Sequence, residues 1–246
     1  MNDNEKLMYQ VMGQISNSNA PIVFIGGLIT KLILKESGYT NIERATRDID
    51  SNWIGKPPSM SDMVDIINNS LGNLKDLIYA VPEREYSQDS SARLLLLKKN
   101  TDDLFFSIDI NVKPVIGNKI YYFGETSIRG VLPNEIITDK VSALSAHKVF
   151  RRTKDMIDIY ALTHCVEIKT TDIFSICDKK GITIKPFIEY HMRVSDVKHA
   201  YEKLRGLIGK PPFEIVYNYI DTFVRPFAEQ NKANQLWNPD MISWIS

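Results

Sequence analysis

The sequence predicts an α+β protein: a mixed-sheet domain over residues 1–133, followed by a helical domain over 134–246. Two observations carry this. Between residues 77 and 123, short runs alternate or stay apolar between turn residues, the pattern of strands. After Pro133 the apolar spacing becomes helical and stays so to the end. A chain of 246 residues, 43% hydrophobic and 24% charged, has room for a real core.

The elements follow in order. Leu7, Met8, Val11, Met12 and Ile15 mark one face of a helix over 4–16, which Asn17 to Pro21 breaks. Ile22 to Ile25 reads as a buried strand ended by Gly26-Gly27, and a helix runs from Leu28 to Lys35. Asp48 to Ile54 reads as a strand closed by Gly55-Lys56-Pro57-Pro58, and Ser61 as the cap of a helix reaching Leu71. Strands at 77–79, 93–98, 104–112 and 120–123 are expected to be antiparallel neighbours. Helices are expected at 134–150, 154–165, 170–179, 195–208 and 212–228.

Composition excludes several classes. No apolar run approaches the about 20 residues of a membrane span. The opening Met1-Asn2-Asp3-Asn4-Glu5-Lys6 is too polar for a secretory signal. Cys165 and Cys177 form neither a disulfide framework nor a zinc pattern, which fits a reducing cytoplasm. Net charge is zero but unevenly spread: residues 139–210 hold 14 Lys and Arg against 9 Asp and Glu, a net of +5. That stretch suits phosphate contact, or is solvated helix surface. His147, His164, His191 and His199 read as residues of helical stretches, and neither cysteine has a nucleophile-elbow context, so Ser–His–Asp and Cys–His hydrolysis are not expected.

The chemistry concentrates in Arg44-Ala45-Thr46-Arg47-Asp48-Ile49-Asp50. Residues two apart on a strand share a face, so Asp48 and Asp50 point together while Ile49 enters the core. Paired carboxylates repel unless a cation lies between them, and Mg²⁺ takes such acids together with water and phosphate oxygens. In Phe106 to Val112 the same alternation sets Ile108, Ile110 and Val112 inward and Ser107, Asp109 and Asn111 outward. Asp109 on a neighbouring strand would complete a three-carboxylate site for displacement at phosphorus. The rival for each acid is a solvated strand end or open edge.

Gly26-Gly27 before a helix start lets a phosphate approach the backbone, or is simply a turn. Lys140, beside Asp139 on a helix with Ile136, Ile137, Val141 and Leu144, could hold a triphosphate as a mobile point charge. Thr153 reads as an N-cap with Asp155 favouring the helix dipole, and Lys154 with Asp158 as an i, i+4 surface pair.

In their order, these pieces resemble the AbiEii/AbiGii family of abortive-infection nucleotidyltransferase-like toxins. The resemblance runs from about residue 22 to the C-terminus. It rests on Gly26-Gly27, Arg44-x-Thr46-x-Asp48-Ile49-Asp50, Asp139-Lys140, and Arg152-x-Lys154-Asp155-x-x-Asp158-Ile159-Tyr160. A tail follows: Phe223-Val224-Arg225-Pro226-Phe227, Trp237-x-Pro239 and Trp244. The resemblance implies a polymerase-β-like nucleotidyltransferase core with a helical C-terminal domain. It also implies Mg²⁺ (or Mn²⁺) and NTP as ligands, and a toxin accompanied by a cognate antitoxin. Some members add nucleotides to tRNA. Asp48 and Asp50 match the metal-binding acids, Lys140 the family lysine, and Asp155 or Asp158 its last acid, while Asp109 is placed as the third metal acid. Gly26, Gly27, Arg44, Thr46 and Lys140 are the expected nucleotide contacts. Leu28 stands where many members carry Ser or Thr, with Thr30 the nearest hydroxyl.

The expectation is therefore a metal-dependent nucleotidyltransferase moving NMP from an NTP to a hydroxyl. RNA would be held by the basic segment 139–210, in a cleft the helical domain completes. A nucleotide binder without turnover and an enzyme acting on a small-molecule hydroxyl remain open beside it. Tyr160 and Tyr201 would stack on RNA or pack inside the helical domain.

Overall fold

The computed structural model describes residues 3–84 and 91–246. Met1 and Asn2 of the polar opening lie outside them. The first half runs α1 (Asp3–Asn17), β1 (Ile22–Ile25), α2 (Gly26–Glu36), β2 (Glu43–Arg44), β3 (Asp48–Trp53) and α3 (Met60–Ser70). After a 3-10 turn come β4 (Ile78–Arg84), β5 (Ala92–Lys98), β6 (Leu104–Asn111), β7 (Asn118–Phe123) and β8 (Thr126–Val131). The second half runs α4 (Pro133–Leu144), α5 (Thr153–Leu162), α6 (Thr170–Lys180), α7 (Ile188–Met192) and α8 (Val194–Glu202). It ends with β9 (Leu207–Ile208), α9 (Phe213–Ala228), β10 (Leu236–Asn238) and β11 (Ser243–Ile245).

Contacts divide the chain into two compact units. One comprises residues 1–32 and 46–132, the other 33–45 and 133–246. In the first, seven strands form a sheet in the order β4-β5-β6-β3-β1-β8-β7. The sheet is mixed, because β3–β6 and β1–β8 are parallel and the other pairings antiparallel. The expected antiparallel run is therefore β4-β5-β6, and β6 then turns its other edge to β3. Alternation along each strand builds the core: Ile22, Phe24, Ile49, Trp53, Leu94, Leu96, Ile108 and Ile110 are all buried.

Several local expectations are corrected. Ser59, not Ser61, caps α3: its hydroxyl accepts from the Asp62 amide at 3.2 Å and donates to the Asp62 carboxylate at 2.7 Å. Strand β8 was not expected, because Arg129 and Gly130 interrupt its apolar pattern. Gly130 is needed there, since a Cβ would fall 2.7 Å from Ile29 Cδ1 and 2.8 Å from Tyr121 Cε2.

The second unit is mostly helical. Residue 33–45 belongs with it through β2, which pairs antiparallel with β9, and through the Ala45 amide, which donates to the Gly206 carbonyl at 2.8 Å. The helix expected over 134–150 stops at Leu144, and a 3-10 turn at Val149–Arg151 follows Lys148 in the left-handed region. The helix expected over 195–208 stops at Glu202 as α8, and β9 follows; α7 precedes it and was not expected. His147 and His164 consequently lie in turns, outside helices. The tail residues form an aromatic core. Trp237 and Trp244 face each other on β10 and β11, with ring centroids 5.1 and 5.3 Å from Phe223. Tyr201 is buried here, whereas Tyr160 is half-buried beside His164 and Tyr219. No helix among the described residues is long and apolar enough to cross a membrane.

Candidate active site

In the sheet unit, β3 presents Ile49, Ser51 and Trp53 to the buried side and half-buried Asp48 and Asp50 to the other. The parallel pairing with β6 sets Asp48 opposite Ser107, Asp50 opposite Asp109, and Asn52 opposite Asn111. Neighbouring strands lie about 4.8 Å apart, so Asp50 and Asp109 are close like charges on one face. The rungs are pinned by Ser51, whose hydroxyl donates to the Asp109 carbonyl at 3.1 Å, and by Asn111, whose amide donates to the Ser51 carbonyl at 3.2 Å.

Arg93, opposite Asp109 on β5, was missed by the sequence reading although its period-2 position on β5 made it legible. Its Nη2 donates to the Ser107 hydroxyl at 2.9 Å, and its Nε lies 3.8 Å from Asp109 Oδ1 and 3.1 Å from Glu83 Oε2. The guanidinium offsets part of the negative charge of this face, and sits on the Asp109 side of it.

The glycines serve the same face. Helix α2 begins on Gly26 itself, not after the pair, with φ at +73°. A Cβ there would lie 2.7 Å from Asp50 Cβ and Cγ, so only glycine lets the backbone come this close to the carboxylate. Gly27 is buried in the first turn, and Leu28 is 1% exposed. Thr30 donates its hydroxyl to the Gly26 carbonyl at 2.9 Å, so it bonds back along its own helix. Thr46 is buried, with its hydroxyl oxygen lacking a hydrogen-bond partner.

Carboxylate oxygens are the right donors for a hard divalent cation, and the Gly26 backbone against Asp50 leaves the acid side of the turn uncrowded by any Cβ. Asp48 and Asp50 fit such an ion on chemistry. Among the described residues, no group of three or more His, Cys, Asp or Glu side chains is gathered closely enough to hold one.

The remaining candidates meet in the helical unit. Arg44 forks onto Asp158, Nε to Oδ1 at 3.1 Å and Nη2 to Oδ2 at 3.0 Å. Lys140 Nζ donates to Asp158 Oδ2 at 2.7 Å and to Asp155 Oδ1 at 3.1 Å. Asp158 thus pairs inward with Lys140 and Arg44, and not with exposed Lys154 as the helix spacing suggested. Thr153 is the first residue of α5 and makes no cap bond. Burial alone would lower the Lys140 pKa, but the Asp158 and Asp155 carboxylates reverse this and hold it above its ordinary value. Burial likewise pushes Asp158 up, and Lys140 and Arg44 more than offset that, leaving it below the carboxylate norm. Arg44, Lys140, Asp155 and Asp158 form a charge-balanced quartet, with Lys140 and Asp158 buried and Arg44 and Asp155 half-buried.

On another side of α4, Asp139 accepts from Lys180 at 2.8 Å and Glu135 at 3.0 Å from the same ammonium. Lys180 is therefore an interior cation, withdrawn from the basic surface expected over 139–210. Burial pushes the Cys177 thiol up to about 11, away from nucleophilic use.

Two solved structures are similar in part. The nucleotidyltransferase toxin MenT4 of Mycobacterium tuberculosis is 12% identical, covering 94% of this chain and 82% of that one, with a TM-score of 0.49. An antigenic nucleotidyltransferase-like protein from Paracoccidioides brasiliensis is also 12% identical, covering 88% and 97%, with a TM-score of 0.44. No curated protein matches the sequence. The family described as nucleotidyl transferase AbiEii toxin, of type IV toxin–antitoxin systems, matches residues 10–206, a span that takes in both the Asp48–Asp50 pair and the Lys140–Asp158 quartet, and the chain belongs to that nucleotidyltransferase family.

Proposed function

We propose that this chain is a metal-dependent toxin nucleotidyltransferase that transfers NMP from an NTP to a hydroxyl of RNA, with tRNA as the acceptor. The observation that carries the reading is the Asp50–Asp109 rung, with Asp48 beside it and the Gly26 backbone against Asp50. Acids that face one another at strand spacing call for a counter-charge, and a nucleotide triphosphate with its cation is a ligand that needs acids of this kind.

A divalent cation, Mg²⁺ or Mn²⁺, bound by the Asp48 and Asp50 carboxylates would supply charge compensation for the triphosphate. The chain's own residues do the rest. The Gly26-Gly27 turn lets phosphate oxygens reach backbone N–H groups, and the Thr46 hydroxyl, which has no partner among the described residues, donates to them. An Asp109 carboxylate oxygen takes the proton of the acceptor hydroxyl. The acceptor oxygen then bonds to the α-phosphorus, the bond from that phosphorus to the bridging oxygen breaks, and pyrophosphate leaves. Position and charge account for the catalysis, with no covalent enzyme intermediate. Lys140 reaches phosphate only by exchanging a carboxylate of the quartet for it. Exposed cations of 139–210 attract the RNA. Family membership supports a cognate antitoxin as partner and cytoplasm, where NTP and tRNA meet, as the place of action.

Incubation with total cellular RNA, Mg²⁺ and each α-labelled NTP, followed by a gel, tests this directly. Label on the tRNA band, lost in Asp48→Asn, is the expected result. Unlabelled RNA with all four nucleotides removes the proposal. Two observations favour a second reading, nucleotide binding without turnover: Leu28 is core, and the Thr30 hydroxyl is bonded within its helix. A thermal shift with an NTP but no transfer selects it.

A further inference from the structure

The acid-bearing face of β3 extends one residue pair past Asp50. Asn52 follows at the next position on that face, opposite Asn111 on β6 and Val23 on β1. It is 1% exposed, and neither its Oδ1 nor its Nδ2 has a hydrogen-bond partner. Ser51 before it on β3 and Asn111 opposite it on β6 are differently placed, since both are bonded across the strands.

A carboxamide offers one acceptor and two donors, and leaving a buried polar group unpaired costs about 1–3 kcal/mol. Leucine has nearly the same shape and would carry no such cost. The hydroxyl oxygen of Thr46, on the other side of the acid pair, is also buried without a partner. Unpaired polar atoms thus bracket Asp48 and Asp50 along the chain. Side chains two apart on a strand lie about 7 Å apart at Cα, and an Asn and an Asp can close that gap to a hydrogen bond by rotation about χ1 and χ2.

We propose that Asn52 is a positioning residue for Asp50: when the acids take up a divalent cation, the Asn52 Nδ2 donates to the Asp50 carboxylate and fixes the orientation that binds the ion. The inference rests on the metal-binding reading of Asp48 and Asp50. The amide that finds no partner among the described residues is the donor to the ion-binding carboxylate. Groups that orient a metal ligand change metal affinity about 10–100-fold when removed.

The test is Mn²⁺ binding followed by electron paramagnetic resonance of the free ion, with thermal denaturation of the metal-free protein in parallel. Asn52→Leu should melt at or above the wild-type temperature and bind Mn²⁺ at least about tenfold more weakly. Asn52→Ala should show the same loss of affinity, which covers the case that leucine does not fit. Asp50→Asn is the control and should abolish the binding. Folded Asn52 variants that bind Mn²⁺ within twofold of wild type, while Asp50→Asn does not, overturn the role of Asn52 and leave the metal site standing. A lowered melting temperature with unchanged affinity likewise makes Asn52 merely structural. Wild-type protein with no Mn²⁺ site removable by Asp50→Asn overturns both readings.

Discussion

Asp50 on β3 stands directly opposite Asp109 on the parallel neighbour β6, while Ile25, which precedes the Gly26 turn, stands opposite Asp50 on its other side. Three strands therefore converge on one carboxylate. The sequence separation between the two acids hides what the sheet makes a single rung.

Asparagine at Asp48 or Asp50 should abolish nucleotide transfer without unfolding the protein. Both acids are half-buried at a strand face, where a lost charge changes stability by about 1 kcal/mol or less. Asp50→Asn also removes like-charge repulsion across the rung, so its melting temperature should equal or exceed that of wild type. Retained transfer activity in both variants removes the acids from the mechanism.

Gly26→Ala should damage both stability and activity. The residue has φ at +73°, where an L side chain costs about 1–2 kcal/mol, and its Cβ would press on the Asp50 carboxylate. Urea denaturation should show a loss of at least about 1 kcal/mol, and NTP binding should fall with it. A variant as stable as wild type would mean the turn relaxes away from Asp50.

Leu28→Ser supplies the hydroxyl that the family resemblance leads one to expect here but should not improve NTP binding. Leu28 is 1% exposed, and truncating a buried leucine costs about 2–5 kcal/mol. The expected outcome of calorimetry is a lower melting temperature with no tighter nucleotide binding. Tighter binding would show that the position reaches the phosphates.

The quartet in the helical unit sets a pH dependence. Asp158 titrates below its ordinary 3.8, so its contribution is present above that value and is lost as pH falls through the depressed pKa. Lys140 titrates above its ordinary 10.5, so its contribution is present below 10.5 and is lost as pH rises through the raised pKa. Asp158→Asn takes the Arg44 fork and the shorter of two carboxylate contacts from Lys140, and should cost about 3–5 kcal/mol at neutral pH. Its stability should then fall less steeply than wild type below pH 3.8. Lys140→Ala should be similarly destabilised, with Lys140→Arg rescuing only in part because the fork differs in shape. If Lys140 also serves the triphosphate, NTP affinity of folded Lys140→Ala falls beyond what Asp155→Asn produces.

Much of the sheet was legible because period-2 alternation is local: Asp48, Ile49 and Asp50 declare their faces in three residues. The same rule applied once more would have found Asn52 and Arg93. Helix limits were less legible. The apolar spacing of α4 carries on through Val149, although the helix stops at Leu144 and Lys148 turns left-handed beyond it. The Arg44–Asp158 fork joins residues 114 apart, and helix spacing offered Lys154 to Asp158 instead. Burial decides between these partners, and burial is a property of the packed unit. Lys180 is the same lesson with opposite effect, a lysine counted as surface charge that lies inside against Glu135 and Asp139.

That distinction shapes the salt dependence of RNA binding. Lys148, Arg151, Arg152, Lys179, Lys203 and Arg205 are exposed, whereas Lys180 is interior and Lys198 lies 2.5 Å from Glu214. Each phosphate neutralised contributes about 0.7–0.9 to the slope of log K against log salt, because the displaced counterion is released. Arg151 and Arg152 are adjacent and exposed, and Arg152 keeps only a 3.7 Å contact with Asp155. Replacing both by alanine should reduce the slope by about 1.4–1.8 in filter binding to tRNA while NTP affinity stays unchanged. Lys180→Met should lower the melting temperature, since it leaves Glu135 and Asp139 without their ammonium, yet leave the slope alone. A slope unaffected by the double arginine variant removes this pair from the RNA contact. A slope near zero in wild type removes RNA as the acceptor and favours a neutral small-molecule hydroxyl, whose binding releases no counterions.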